Sequence, residues 1–167
     1  MCLRLVGSEM CIRDSPNRLP KIWLYKMSYV THVSTSNELQ IAANLSKARA
    51  KIFLETRYYM RDALSALFNI SPLKIPITAH PGEPPKLPDG MGYISISHCK
   101  DAFIIGWYKD NIGIDIERSD RNFSYQKLAK KYFSQDNIKS YNLNQYSILQ
   151  EWSAIEAVSY THLTLPT

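Results

Sequence analysis

Asp115 and Glu117 stand two residues apart in the run Asn111-Ile-Gly-Ile-Asp-Ile-Glu117. In an extended strand, residues two apart project from the same face. Ile112, Ile114 and Ile116 therefore share one apolar face, and Gly113, Asp115 and Glu117 share the other. Two carboxylates roughly 6–7 Å apart, with no side chain at Gly113 to crowd them, suit a hard cation such as Mg²⁺. The same alternation also describes an ordinary half-buried strand with a charged outer face. A third acid, Glu156, lies one turn past Trp152, at the edge of the apolar stripe of a C-terminal helix. A carboxylate there needs a partner. A cation shared with Asp115 and Glu117 provides one.

Other groups in the chain could bind phosphate. Arg57 and Arg61 are one helical turn apart, with Lys47, Arg49 and Lys51 a few residues before them. They form either a solvated helix face or a phosphate-binding surface that uses charge-assisted hydrogen bonds. His98 follows Ser97 at the end of the run Tyr93-Ile-Ser-Ile-Ser-His-Cys-Lys100. Cys99 beside it makes a poor nucleophile, because strand neighbours point apart and no orienting partner is in view. Cys2, Cys11 and Cys99 have neither metal-ligand spacing nor the pattern of a disulfide framework. The default compartment is then a reducing cytoplasm.

These groups must be positioned by ordinary elements. Lys21–Val33 is aromatic and β-branched and reads as an opening strand. Ser36 or Asn37 can cap a short helix through Leu45, and Ser46 can cap a longer one over Lys47–Phe68. Phe53, Met60, Leu64 and Leu67 form the apolar stripe of that helix. His80–Gly90 is a Pro/Gly loop. Strands at about Gly92–Ser97, Ala102–Tyr108 and Ile112–Glu117, joined by short turns, predict an antiparallel meander. Tyr125–Phe133 is helical by pattern. Asn142 with Gln145 resembles a capping box that opens the last helix, whose expected buried stripe is Ile148, Trp152 and Ile155.

The 167 residues allow one domain or two small lobes. A hydrophobic fraction of 45% and a charged fraction of 21% are those of a globular protein. The net charge of +5 suits a phosphorylated cofactor or an acidic protein partner as well as nucleic acid. No apolar run approaches the roughly 20 residues that span a membrane. Residues 1–15 show no sustained helix or strand period. Residues 158–167 are rich in β-branched and turn-forming types, and Pro166 would stop a helix. Both ends resemble translated sequencing-adapter read-through, which leaves about 17–157 as the native stretch.

In order and spacing, three segments resemble the 4'-phosphopantetheinyl transferases. They are Ser97-His98 at a strand end, Gly113-Ile114-Asp115-Ile116-Glu117, and Trp152-Ser153 followed by Glu156-Ala157. Ile155 stands where the family usually has Lys. Glu83 stands where many members have a phosphate-touching Lys, with Lys86 close by as a substitute. The resemblance is to the two-lobed, surfactin-synthetase-activating type. It implies an α+β fold of two similar lobes, each a small antiparallel sheet packed with a long helix. Residues 17–110 would form the N-terminal lobe and 111–157 an incomplete C-terminal one. It implies transfer of the phosphopantetheine arm of coenzyme A to a serine of an acyl or peptidyl carrier protein by a cytoplasmic monomer, without nucleic acid or membrane. Asp115, Glu117 and Glu156 would hold Mg²⁺, and Glu156 or a metal-bound water would take the serine proton. His98, Ser97, Arg57, Arg61 and Lys86 would contact the cofactor. A catalytically silent member that binds coenzyme A or carrier protein is the other reading, and Ile155 favours it.

Overall fold

The computed structural model describes residues 2–7, 19–28, 30–78, 83–120, 122, 124–132 and 145–162, with backbone alone for 2–7 and 159–162. It is a mixed α+β structure. Strands β1 (Cys2–Gly7), β2 (Lys21–Lys26), β3 (Tyr93–His98), β4 (Ala102–Tyr108) and β5 (Ile112–Glu117) make two small sheets. Helices α1 (Ser36–Ala43), α2 (Lys47–Phe68), α3 (Tyr125–Tyr132) and α4 (Gln145–His162) accompany them.

Sheet order is β2-β4-β3 in one sheet and β1-β5 in the other, all pairs antiparallel. Strand β4 lies at the centre and is buried on both faces. Phe103 and Ile105 point into a core with Met60 and Leu64 of α2, Met27, Ile75 and Ile94. Ala102 and Ile104 point the other way, against Ile112, Ile114 and Ile116 of β5. The apolar face expected for β5 is therefore present. Gly106 permits the close approach, since a Cβ there would sit 3.0 Å from Ile114 Cγ2.

The expected meander is half realised. β3 and β4 pair as a hairpin, but β5 packs on the face of that sheet and hydrogen-bonds to β1 instead. The Ser95 and Ser97 hydroxyls of β3 accept from the amides of Ile114 and Ile116, which satisfies β5 donors on the side away from any strand partner. β1 falls in a segment that has no sustained period in sequence. Strand pairing uses backbone groups, so the edge of β5 makes few demands on the side chains that cover it. The last helix also runs to His162 rather than stopping near Ala157. Each added residue continues an existing hydrogen-bond ladder, and Pro166 lies beyond it.

Helix α2 spans the residues expected of it. Ser46 accepts from the amide of Arg49 at its start, and Asn69 ends it in the left-handed region at φ 54°. The opening strand ends at Lys26, seven residues early, where Met27 turns to donate to Asp101 O. The cap of α1 is Thr35, with a reciprocal box to Glu38. Asn142 of the second expected box, His80–Gly82 of the loop, Phe133, residues 8–15 and residues 163–167 lie outside the described residues. Among the described residues, no helix is long and apolar enough to cross a membrane.

Candidate functional site

Helix α4 packs across β5, and this contact assembles the site. Ile148, Leu149, Ser153 and Ala157 form the buried line of the helix. That line differs from the expected one. Ile155 is 36% exposed, and Trp152 is half-buried, meeting Tyr132 of α3 edge-on with ring centroids 4.5 Å apart. The stripe is rotated so that Ser153, and not Trp152, faces β5.

Beneath that serine lies Asp115. The outer face of β5, expected to leave the core, is covered by α4, and Asp115 is 5% exposed. Its two oxygens are shared between neighbours. Ser97 Oγ of β3 donates to Oδ1 at 2.6 Å, and Ser153 Oγ of α4 donates to Oδ2 at 2.5 Å. Both are short, as hydroxyl bonds to a carboxylate are. They offset the cost of burying the anion. Three elements thus meet at one side chain.

Glu117 and Glu156 flank this centre, and both are half-buried. The Glu156 carboxyl is pushed above the ordinary carboxylate range. Burial is the largest cause, followed by the charge of Asp115 and then that of Glu117. The three acids expected to converge are therefore within electrostatic reach, although Glu156 is 39 residues from Glu117 in the chain. Among the described residues, no group of three or more His, Cys, Asp or Glu side chains is one that could hold a metal ion. The three acids are oxygen-only donors, the type a hard divalent cation takes, but their side chains are not gathered as a ligand group.

Compared with known protein families and with characterised proteins, the chain has no match.

The other expected binding residues are placed differently. His98 is exposed at the end of β3. Ser97 is buried, with its hydroxyl engaged by Asp115. Lys86 is exposed and paired with Glu83 at 3.5 Å. Arg57 and Arg61, expected on an open helix face, are 8% and 5% exposed. Arg61 pairs with Glu38 at 2.9 Å and donates to the Ile75 carbonyl. Arg57 lies over the Phe53 ring and is lowered to about 10, chiefly by burial. Both turn inward because α1 and the 3₁₀ turn Pro72–Lys74 cover that face of α2 with matched acceptors.

Sequence reading gives two features no role of their own. Ser153 is one: from sequence it is only a motif position beside Trp152, although it stands three residues before Glu156 and so on the same side of the helix. Arg118 is the other. Its guanidinium grips Asp120 through both oxygens, at 2.8 and 2.5 Å, and Asp101 at 2.8 Å, tying the end of β5 to the β3–β4 turn. Two acids so close raise the Arg118 pKa. The spacing Arg118-x-Asp120 was the available signal. Beyond this clamp an open pocket of about 450 Å³ is lined by Ser119, Asp120, Asn122, Gln145 and Tyr146. Cys99 donates weakly to Asp101 Oδ1 at 3.8 Å, which adds nothing to a nucleophilic role.

Proposed function

We propose that this chain is a 4'-phosphopantetheinyl transferase, a cytoplasmic enzyme that moves the arm of coenzyme A onto a carrier-protein serine. The observation that carries the reading is where the motif segments meet at the β5–α4 contact, with the Asp115 carboxylate held between the hydroxyls of Ser97 and Ser153. The three motif segments supply Ser97, Asp115 and Ser153, which meet in one hydrogen-bonded centre. The α+β composition fits the proposed family: the β2-β4-β3 sheet shares a core with α2, and β5 lies under α4.

In the reaction, the serine Oγ forms a bond to the phosphorus that carries the pantetheine arm. The bond from that phosphorus to the adenosine bisphosphate breaks, and the electron pair leaves with the bisphosphate. The serine proton goes to Glu156, whose raised pKa improves it as a base near neutral pH. Asp115 and Glu117, with Glu156, would hold Mg²⁺, which supplies charge neutralisation on the pyrophosphate. Exposed His98, at the end of the strand that carries Ser97, donates to a cofactor phosphate. Buried Arg57 and Arg61 are given no part in binding here.

A second reading keeps the fold and drops the chemistry. Ile155 removes a cation from α4, and Lys86 is paired with Glu83, so a silent member that binds coenzyme A or carrier protein also fits. Mass spectrometry of an apo carrier protein incubated with the chain, coenzyme A and Mg²⁺ separates the two. A phosphopantetheine mass gain, lost at least about a hundredfold in Glu117→Gln, marks the enzyme. Coenzyme A binding without mass gain marks the silent module. Neither outcome in a folded chain sinks both.

A further inference from the structure

We infer that Arg118 is a positioning residue for His98, acting through Asp101, an inference that rests on the function proposed above. Among the described strands, β5 ladders with β1 and not with β3 or β4, so side chains set its offset from that hairpin. Along the middle of β5 these include the hydroxyls of Ser95 and Ser97, which accept from the Ile114 and Ile116 amides. At the end of the strand the tie is Arg118, which donates to Asp101 Oδ2 at 2.8 Å.

Asp101 is a corner where strand ends meet. It lies in the turn between β3 and β4, which is closed by a bond from the Cys99 amide to the Ala102 carbonyl at 2.9 Å. Its own carbonyl accepts from the Met27 amide, just past the end of β2, at 2.8 Å. Its carboxylate takes Arg118 from the end of β5. His98 is the last residue of β3, exposed, and three residues before Asp101. The place of His98 relative to β5 is therefore fixed at this corner.

Arg118 is itself held still. Asp120 engages it through both oxygens, at 2.8 and 2.5 Å, which leaves a further N–H of the fork for Asp101. A lysine lacks the planar fork and cannot hold both acids in this geometry. The bridge is also open to water, with the Arg118 and Asp101 side chains 33% and 55% exposed. Exposed ion pairs add little to stability. Breaking this one frees the turn without unfolding the chain, so binding rather than stability reads the effect.

Titration calorimetry of the full chain with coenzyme A tests this, with urea midpoints as the check on folding. His98→Ala is expected to weaken coenzyme A about tenfold. Arg118→Ala and Asp101→Ala are expected to weaken it about fivefold each, and either carries the test if the other does not fold. Asp101→Ala is the sharper variant. It removes a negative charge, so simple attraction of the anionic coenzyme A predicts tighter binding, whereas a misplaced His98 predicts weaker binding. Arg118→Lys keeps the charge, loses the fork, and is expected to bind as weakly as Arg118→Ala. Combined with His98→Ala, neither change should cost more than His98→Ala alone, because the bridge acts through that ring. Losses that multiply in the double variants, or an Asp101→Ala chain that binds as tightly as the unaltered one or tighter, overturn the inference while the proposed function stands. If the unaltered chain binds no coenzyme A, the proposed function and this inference fall together.

Discussion

Two regions of this molecule bury carboxylates, and they treat them in opposite ways. Between α1 and α2, Glu38 accepts from Arg61 through one oxygen and from the amide and hydroxyl of Thr35 through the other. In the first pair, charge meets opposite charge in a closed network. At the β5–α4 contact, Asp115 meets neutral hydroxyls, and Glu156 lies in the field of two further acids. A closed network is an architectural device. Like charges gathered under partial burial work against folding, and such gatherings concentrate at sites of function.

The largest effect is expected from opening the closed region. Arg61→Ala leaves the Glu38 carboxylate buried without its cation, and this should cost about 3–5 kcal/mol in urea unfolding. Replacing both partners, with Glu38→Gln and Arg61→Met, should recover most of that loss. If Arg61→Ala unfolds at the wild-type urea midpoint, the contrast between the regions disappears. Asp115→Ala is the parallel experiment in the second region. It strands the Ser97 and Ser153 hydroxyls in the interior, so about 1–3 kcal/mol should be lost along with any cation binding. From sequence, Asp115 points out of the core and its removal leaves the fold intact. The cover of α4 reverses that expectation.

Glu156→Gln should act in the other direction. The fold favours the neutral form of this side chain, because its pKa is raised. Ionisation at neutral pH therefore works against folding, and stability falls as pH rises through the shifted value. Glutamine keeps the shape and removes the charge. In the presence of a chelator, the variant should melt a few degrees above the unaltered chain at pH 7. Added Mg²⁺ should then raise the melting temperature of the unaltered chain and leave the variant where it was. A variant that melts lower in chelator would mean that the Glu156 charge is matched within the fold.

Much of this contrast was legible from the residues. The period-two pattern of Ile112–Glu117 placed the apolar and acidic faces of β5 correctly, and the Ser46 cap marked the start of α2, whereas the Asn69 cap at its end was not foreseen. Burial of charge was not legible. A helix pattern says which residues share a face, but not whether a second element covers it, so Arg57 and Arg61 read as exposed when α1 lies over them. Asp115 read as outward for the same reason. The Thr35–Glu38 box was written in the sequence at the right spacing, while Ser36 and Asn37 offered competing caps one and two residues later. Ser153 was legible as a motif position beside Trp152, but its burial was not, because a buried serine contributes no hydrophobic period. Only contact with a carboxylate reveals its use.

The smallest structural effect is expected at Ile155, and it separates the two functional readings. This side chain is 36% exposed on α4, next to Glu156 but outside the buried line of Leu149, Ser153 and Ala157. A lysine there can extend into solvent along an apolar stem. Ile155→Lys should therefore change stability by no more than about 0.5 kcal/mol. Its charge would enter the neighbourhood of three acids and of the phosphate that the proposed reaction brings to them. If the chain is an enzyme, carrier-protein modification should rise in rate, and the effect should weaken as salt is added because the new charge is exposed. A stable variant with no gain would place the transferring phosphate away from this edge of the helix, and would leave the acidic cluster to bind without reacting.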